Sequence, residues 1–330
     1  MNMIVKFISS AIPLGVPLLY GSTGEIVTEK SGHLNLGIPG IMYVGAISGV
    51  IGAFLYELSC GAKENMIPAL AILIPLLCAI AGAMLMGLIY SFLTVTLRAN
   101  QNVTGLALTT FGIGIGNFFG GSLIKLVDSD MPSIILTNTS SFYRTSLPFA
   151  ADLGWFGEIF LSHDFLTYAS IAIALVVSFI LNRTRVGLNL RAIGENPATA
   201  DAAGINVIKY KYLATCIGSA IAGLGGLQYV MAYANGVWSN NAFGDRGWMA
   251  IALVIFALWK PNMAIFGSFL FGALCNANNY IRGLGDATQE LFKLLPYVVT
   301  LLVLIITSMR KKREHQPPQS LGLSYFREER

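Results

Sequence analysis

Repeated apolar runs of about 20 residues constrain this chain more than any other feature, since a helix needs about 20 apolar residues to cross the bilayer. We expect an all-α polytopic membrane protein of about 8–10 transmembrane helices, at least one of them broken. The third run is long enough to tilt or break, and the seventh is short enough to be a half-helix. The predicted spans are 3–21, 34–57, 67–97, 102–124, 164–182, 212–234, 247–259, 262–281 and 289–308.

The composition supports a membrane protein. Charged residues make up 12% of the chain and the mean hydropathy is +0.65, whereas soluble domains carry about 25% charged residues. Residues 1–309 are predicted to form the transmembrane domain. Residues 310–330 are predicted to form a basic, disordered tail on the cytoplasmic side.

Basic residues predict how the chain is oriented, because cytoplasmic loops are enriched in Lys and Arg. With the predicted spans, twelve basic residues lie on one side and six on the other. The first set is Lys30, Arg98, Arg183, Arg185, Arg191, Lys209, Lys211, Lys260, Arg310, Lys311, Lys312 and Arg313. The second set is Lys6, Lys63, Lys125, Arg144, Arg246 and Arg282. The C-terminus is therefore expected in the cytoplasm of a cell-membrane protein. The net charge of +4 reflects this bias and gives no indication of nucleic-acid binding.

A short polar helix is predicted at 197–203, inside a basic loop on the cytoplasmic side. Asn196 suits the N-cap and Pro197 the first helical position. Gly204 suits a left-handed residue just past the helix end. A capped rod of roughly 10 Å between two spans can present a rigid knob to a cytoplasmic partner.

Several kinds of chemistry are disfavoured by the sequence. The chain contains no P-loop motif, its three histidines are far apart, and its four cysteines have no metal or redox spacing. The predicted spans are nearly free of carboxylates, which argues against both an intramembrane enzyme and a proton-coupled carrier. We therefore expect no enzymatic activity, no cofactor and no metal site in this chain.

Uncharged polar residues within the spans are candidates for a substrate path. Asn35 lies in a segment rich in Gly and Pro that is expected to break the entry of its span, and transporters place substrate sites at such breaks. Each amide could equally bond a neighbouring helix as packing glue. Amides and aromatic rings suit a neutral polar ring compound as the substrate. The candidates are Asn35, Asn117, Gln228, Asn276 and Asn279.

Two segments resemble a known family of transporters. GLNLRAIGENPATADAAGINVIKYK, followed by ATCIGSAIAGLGGLQYV, resembles the cytoplasmic loop and next span of ABC importer permeases. These permeases serve simple sugars, nucleosides and branched-chain amino acids. TEKSGHLNLGIPGIMYVGA resembles their early broken span and is most similar to the nucleoside branch linked to basic membrane proteins. Related nucleoside permeases tend to carry Glu at the position of Pro39, so the local backbone and the substrate could differ here.

The resemblance implies a membrane-spanning subunit of a heteromeric importer, with nucleosides or a related neutral polar solute as its substrate. Two permease chains, the second a paralogue, would work with two ATPase subunits and an extracytoplasmic substrate-binding protein. ATP hydrolysis would then take place in the separate ATPase. Helix 197–203 would be the coupling helix. The residues expected to act in coupling are Arg191, Gly194, Glu195, Asn196, Pro197, Ala200, Ala203 and Gly204.

Other functions remain open at this point. The substrate could be a simple sugar or a branched-chain amino acid. A secondary transporter or channel would also be polytopic and weakly charged, but would have no use for an ATPase-docking helix. A membrane enzyme would need a catalytic cluster, which the sequence lacks.

Overall fold

The computed structural model describes residues 3–126, 133–145, 153–280, 291–292, 294–310 and 316–326. Within them lie thirteen α-helices and one two-stranded sheet. The helices are α1 (Met3–Glu29), α2 (Ile38–Cys60), α3 (Pro68–Ser91), α4 (Gln101–Leu126), α5 (Thr137–Tyr143), α6 (Gly154–Phe160), α7 (Phe165–Arg183), α8 (Arg185–Glu195), α9 (Pro197–Ala202), α10 (Val207–Gln228), α11 (Arg246–Phe256), α12 (Pro261–Tyr280) and α13 (Leu295–Arg310). The strands are β1 (Ser133–Ile135) and β2 (Val237–Ser239).

The polytopic helical fold is confirmed. Every predicted span corresponds to one long or apolar helix, and six helices of the described residues are long and apolar enough to cross a membrane. α3 and α10 each continue into a π-helical turn, at Phe92–Thr96 and Tyr229–Tyr233. α11 has only 11 residues, which agrees with the half-helix expected at this position.

Helix α1 is longer than predicted. Its apolar run ends near residue 21, but the helix continues to Glu29 and buries its last two turns. A prediction from hydropathy alone ends this first span too early, because a hydropathy scale assigns every carboxylate to solvent. The extra turns bring acidic side chains into the interior of the helix bundle.

Helix α10 lies at the centre of the bundle and packs against α1, α2 and α3. Small residues allow this close packing of membrane helices, because they let the helix backbones approach each other. A Cβ atom on Gly45 of α2 would lie 2.5 Å from the Cα of Gly223. α4 packs on α2 in the same manner, because a Cβ atom on Gly112 would lie 2.6 Å from the carbonyl oxygen of Gly40.

The two ends of the bundle differ in structure. One end carries α8, α9 and residues 30–37, a non-helical break between α1 and α2. At the opposite end β1 pairs antiparallel with β2, with Ile134 opposite Trp238. This short sheet is an addition to the helical fold, in which two long connections meet and pair their backbone groups.

The C-terminal segment 316–326 lies against the end of the bundle that carries α9. The Ser320 N–H donates to the Gly194 carbonyl at 2.9 Å, and the Tyr325 hydroxyl donates to Asp201 at 2.7 Å. Within this segment, both backbone and side-chain groups have hydrogen-bond partners in the bundle. The polar composition alone cannot reveal these partners, since they lie more than 120 residues away in sequence.

Candidate functional site

The break between α1 and α2 is held by side chains from several helices. Backbone groups at membrane depth must be satisfied by protein or line a cavity. The Leu34 N–H donates to Gln101 at 2.8 Å, and the Leu36 carbonyl accepts from Thr109 at 2.8 Å. Two further bonds run from the Tyr90 hydroxyl to the Leu34 carbonyl at 2.5 Å and from the Asn35 N–H to Glu25 at 3.1 Å. The predicted break is therefore real and is fixed by its surroundings.

Two carboxylates, Glu25 and Glu29, are buried at the end of α1, although the sequence predicted almost none at depth. Glu25 is 1% exposed and Glu29 is 3% exposed. Glu29 accepts a hydrogen bond from the indole N–H of Trp259, in the turn between α11 and α12. Their four-residue spacing directly after an apolar run was the available sequence signal, because it places both on one helix face.

Asn35, a predicted path residue, is completely buried within the break. Its side-chain oxygen accepts from the Gly37 N–H at 2.9 Å, which stabilises the turn into α2. Its side-chain nitrogen and the second oxygen of Glu25 have no partner among the described residues. The break thus holds unused polar atoms in a closed interior.

The remaining candidates at depth are not brought to one place. Gln228 is fully buried, and neither polar atom of its amide has a partner among the described residues. The Asn276 amide donates to the Phe7 carbonyl at 3.0 Å and joins α12 to α1. The side chain of Asn279 lies outside the described residues. Asn35 therefore lies near the C-terminal end of α1, whereas Asn276 contacts its N-terminal end.

Asn117 lies in a polar cluster that opens at the end of the bundle that carries the sheet. Its side-chain oxygen accepts from the Tyr43 hydroxyl at 2.5 Å, and its nitrogen donates to Asn241 at 2.9 Å. The Asn241 N–H donates to the Tyr43 hydroxyl at 2.9 Å. Sequence reasoning missed Tyr43 and Asn241, because their pairing depends on contacts across α2, α4 and the connection after α10.

Aromatic rings surround this cluster. The ring of Tyr43 lies 5.1 Å from Trp238 and 6.3 Å from Phe243, both in edge-on geometry. The guanidinium of Arg246 lies 4.3 Å from the centre of the Tyr229 ring. Amide groups beside aromatic faces can bind the edges and planes of a small polar ring.

The short helix α9 is built as predicted. The Asn196 side chain accepts from the Thr199 N–H at 3.0 Å, Pro197 occupies the first turn, and Gly204 has a φ of +83°. The helix ends at Ala202, one residue before the predicted end. α8 and α10 are capped in the same way by Thr184 and Asn206.

The predicted coupling residues divide between surface and interior. The exposed residues are Glu195, Asn196, Ala203 and Gly204, the half-buried ones are Arg191 and Pro197, and the buried ones are Gly194 and Ala200. Ala200 is 3% exposed and packs with Ile193 and Val207 against the helix bundle. It therefore holds α9 to the bundle and presents no surface to a partner.

α8 also contacts the break directly. A Cβ atom on Gly194 would overlap the Lys30 carbonyl, so the two backbones touch. Burial lowers the pKa of the Lys30 ammonium, and the nearby charge of Glu195 partly opposes that change. A displacement of α8 would therefore act on the start of the break.

The described residues contain no group of three or more His, Cys, Asp or Glu side chains that could hold a metal ion. Apart from the carboxylate pair Glu25 and Glu29, the polar groups described above are mainly amides and hydroxyls, which can bind a polar solute.

Comparison with known proteins identifies the family. Residues 7–304 match the family model described as the permease component of branched-chain amino acid transport systems. The chain belongs to this family. The resemblance seen in the sequence is thereby confirmed, and the chain is a multi-pass membrane permease subunit of an ABC transporter.

Three relatives cover most of the chain. The guanosine ABC transporter permease NupQ of Bacillus subtilis is 29% identical over 91% of this chain and 92% of its own length. The nucleoside ABC transporter permease NupC of Lactococcus lactis is 29% identical over 92% of this chain and 93% of its own. TsgC13 of Haloferax volcanii, provisionally assigned as a glucose ABC transporter permease, is 31% identical over 83% of this chain and 77% of its own.

Proposed function

We propose that this permease carries nucleosides into the cell. Two relatives named for guanosine or nucleoside transport align with more than nine-tenths of this chain, and this is the observation that carries the proposal. The uncharged polar cluster around Asn117 supports it, because a neutral nucleoside needs hydrogen bonds and ring contacts without a counter-charge.

The ATPase subunit docks on the exposed face of α9 and the end of α8. The fixed caps of α9 and its packing through Ala200 support this role, since the helix moves as one unit with the permease. Motion of the ATPase would pass through Gly194 to Lys30 and so to the break. This end of the molecule, including the C-terminus, then lies in the cytoplasm.

The substrate path runs along the open face of α4. Thr110 and Gly114 are exposed, Asn117 is half-buried, and the three lie on one side of the helix. A Cβ atom on Gly114 would meet no other atom within 4 Å. A second permease chain, paralogous to this one, closes the path from the other side.

The substrate-binding protein docks on the opposite end of the bundle. Pairing of β1 with β2 brings two long connections of that end together, which supports one composite docking surface. α6 lies in the same connection as β1 and exposes Trp155, Phe156 and Phe160, which suit the membrane surface or a partner.

The test uses the complex of this permease with its paralogue, the ATPase and the binding protein, reconstituted in nanodiscs. ATP hydrolysis is measured with the binding protein loaded with guanosine, glucose or leucine. We expect guanosine to stimulate hydrolysis and the other two to leave it at the basal rate. Stimulation by glucose or leucine alone would contradict the nucleoside assignment.

A sugar is the second candidate substrate, and the observation that favours it is the 31% identity with TsgC13. Hydroxyl groups of a sugar could also bind the amides near Asn117. The same experiment separates the two candidates, because the binding protein would then respond to glucose and not to guanosine.

A further inference from the structure

A cavity of about 330 Å³ lies beneath the C-terminal segment, at the end of the bundle that carries α9. Its walls come from the connection before α4, the turn after α9, the start of α10 and the tail. Among its lining residues are Arg98, Gln101, Asp201, Asn206, Lys211 and Tyr325. Neither the proposed substrate path nor the proposed surface for the binding protein uses this cavity.

Lys211 is the unexplained residue in the cavity wall. It is 3% exposed, and its ammonium has no hydrogen-bond or ion-pair partner among the described residues. A buried charge is normally paired, because leaving water without a partner is costly. An unpartnered buried ammonium that lines a cavity therefore indicates an anionic ligand.

The other charges around the cavity leave a positive excess. Arg98 adds a second cation and stacks on the ring of Phe326 at 4.8 Å. Burial and the nearby Lys211 hold the pKa of His33 well below its usual value, so its imidazole is neutral. Asp201 is the single acidic group among the described lining residues, and its carboxylate accepts from the Tyr325 hydroxyl.

Two helices also begin at this cavity. α4 begins at Gln101 and has 26 residues, while α10 begins at Val207 and has 22 residues. The helix dipole gives such a start a partial positive charge that favours phosphate. Arg and Lys side chains beside helix starts form the donor set that phosphate groups prefer.

We propose that this cavity binds a phosphate group, carried by a free phosphorylated metabolite or by a phospholipid headgroup. The ligand would join Lys211 and Arg98, and so connect the turn after α9 with the start of α4. Its occupancy would restrain the coupling helix. The proposal rests on the proposed function in placing the cavity on the cytoplasmic side and in assigning α9 to coupling.

The test uses the full-length permease complex in a phosphate-free maltoside detergent. Inorganic phosphate, guanosine monophosphate and short-chain phosphatidylglycerol are titrated separately, and binding is followed by the shift in thermal unfolding. We expect saturable stabilisation by at least one of them, and Lys211→Met should weaken its affinity at least about tenfold. Lys209→Met is the matched control and should bind as the parent does, because Lys209 is exposed and does not line the cavity.

The three titrations separate the two sources. Saturation by inorganic phosphate or guanosine monophosphate identifies a free ligand, whereas stabilisation by phosphatidylglycerol alone identifies a lipid headgroup.

The absence of stabilisation by all three, or an unchanged affinity in Lys211→Met, would overturn the proposal. If Lys211→Met fails to fold, the test is made with Arg98→Gln, because Arg98 lies at the surface. An unchanged affinity of Arg98→Gln for the phosphate ligand would overturn the proposal. Nucleoside transport is measured separately, so a failure of either proposal is recognised independently of the other.

Discussion

At the scale of single residues, Gln101 joins three parts of the molecule. Its side-chain oxygen accepts from the Leu34 N–H in the break, and its nitrogen donates to the Leu323 carbonyl in the tail at 3.2 Å. The residue is 2% exposed, so both bonds are shielded from bulk water. A buried donor that loses its partner costs more than the bond itself contributes.

Gln101→Leu should therefore destabilise the permease by about 1–3 kcal/mol, because the Leu34 N–H is left unsatisfied. Asn102→Leu is the matched control, since Asn102 is the next residue and is exposed. The measurement is the thermal unfolding midpoint of the purified chain in detergent. Equal midpoints for the two variants would show that the break does not depend on this bond.

Asn117→Leu should raise the half-saturation concentration for guanosine uptake about tenfold, which corresponds to loss of roughly one strong hydrogen bond. The complex should still assemble, because Asn117 is half-buried and leaves no closed cavity. Phe118→Leu provides the control, because Phe118 is 68% exposed and makes no polar contact in the cluster. Unchanged uptake by Asn117→Leu would place the substrate path away from this face of α4.

At the scale of elements, α9 has one face packed on the bundle and one face at the surface. Ala200 packs inward beneath Tyr325, whereas Ala203 lies at the surface just after the helix. The sequence predicts the helix, because Asn196, Pro197 and Gly204 act locally. It cannot predict which alanine faces the permease, because that depends on the tail and on α8.

Ala200→Trp should lower the thermal stability of the permease, since overpacking a closed core costs about 1–3 kcal/mol. Ala203→Trp should keep the parent's stability and reduce the amount of ATPase that co-purifies from detergent. Thermal unfolding and co-purification are measured on both variants. If Ala203→Trp retains its full share of ATPase, that surface takes no part in docking.

In the other elements too, features set by nearby residues can be predicted from the sequence, and features set by distant contacts cannot. Apolar runs predict where helices cross the membrane, and Gly32, Gly37 and Pro39 predict the break. Glu29, at the end of α1, bonds to Trp259, which is 230 residues away. The pairing of β1 with β2 likewise joins segments that carry no shared sequence signal.

At the scale of the whole molecule, the two ends of the bundle carry different tasks in the proposed importer. The end with α9 would face the ATPase, and the end with the sheet would face the binding protein. The distribution of basic residues favours placing α9 in the cytoplasm. The structure is consistent with this arrangement in that the break, α8, α9 and the described tail all lie at one end.

The orientation is tested by introducing single cysteines into a variant that lacks the four native cysteines. Thr199→Cys should react with an impermeant thiol reagent in inside-out vesicles and remain unlabelled in intact cells. Lys63→Cys is the control for the opposite end, because Lys63 is exposed in the turn after α2. Labelling of Thr199→Cys from outside intact cells would reverse the proposed orientation and remove the docking site for the ATPase.

The central claim is that this chain moves nucleosides with energy from a separate ATPase. Its most direct test is uptake of radiolabelled guanosine into proteoliposomes that contain the complete complex. The account predicts accumulation only when ATP is supplied on the side of α9 and loaded binding protein on the other, without any ion gradient. Accumulation driven by a proton or sodium gradient, in vesicles that lack the ATPase, would contradict it.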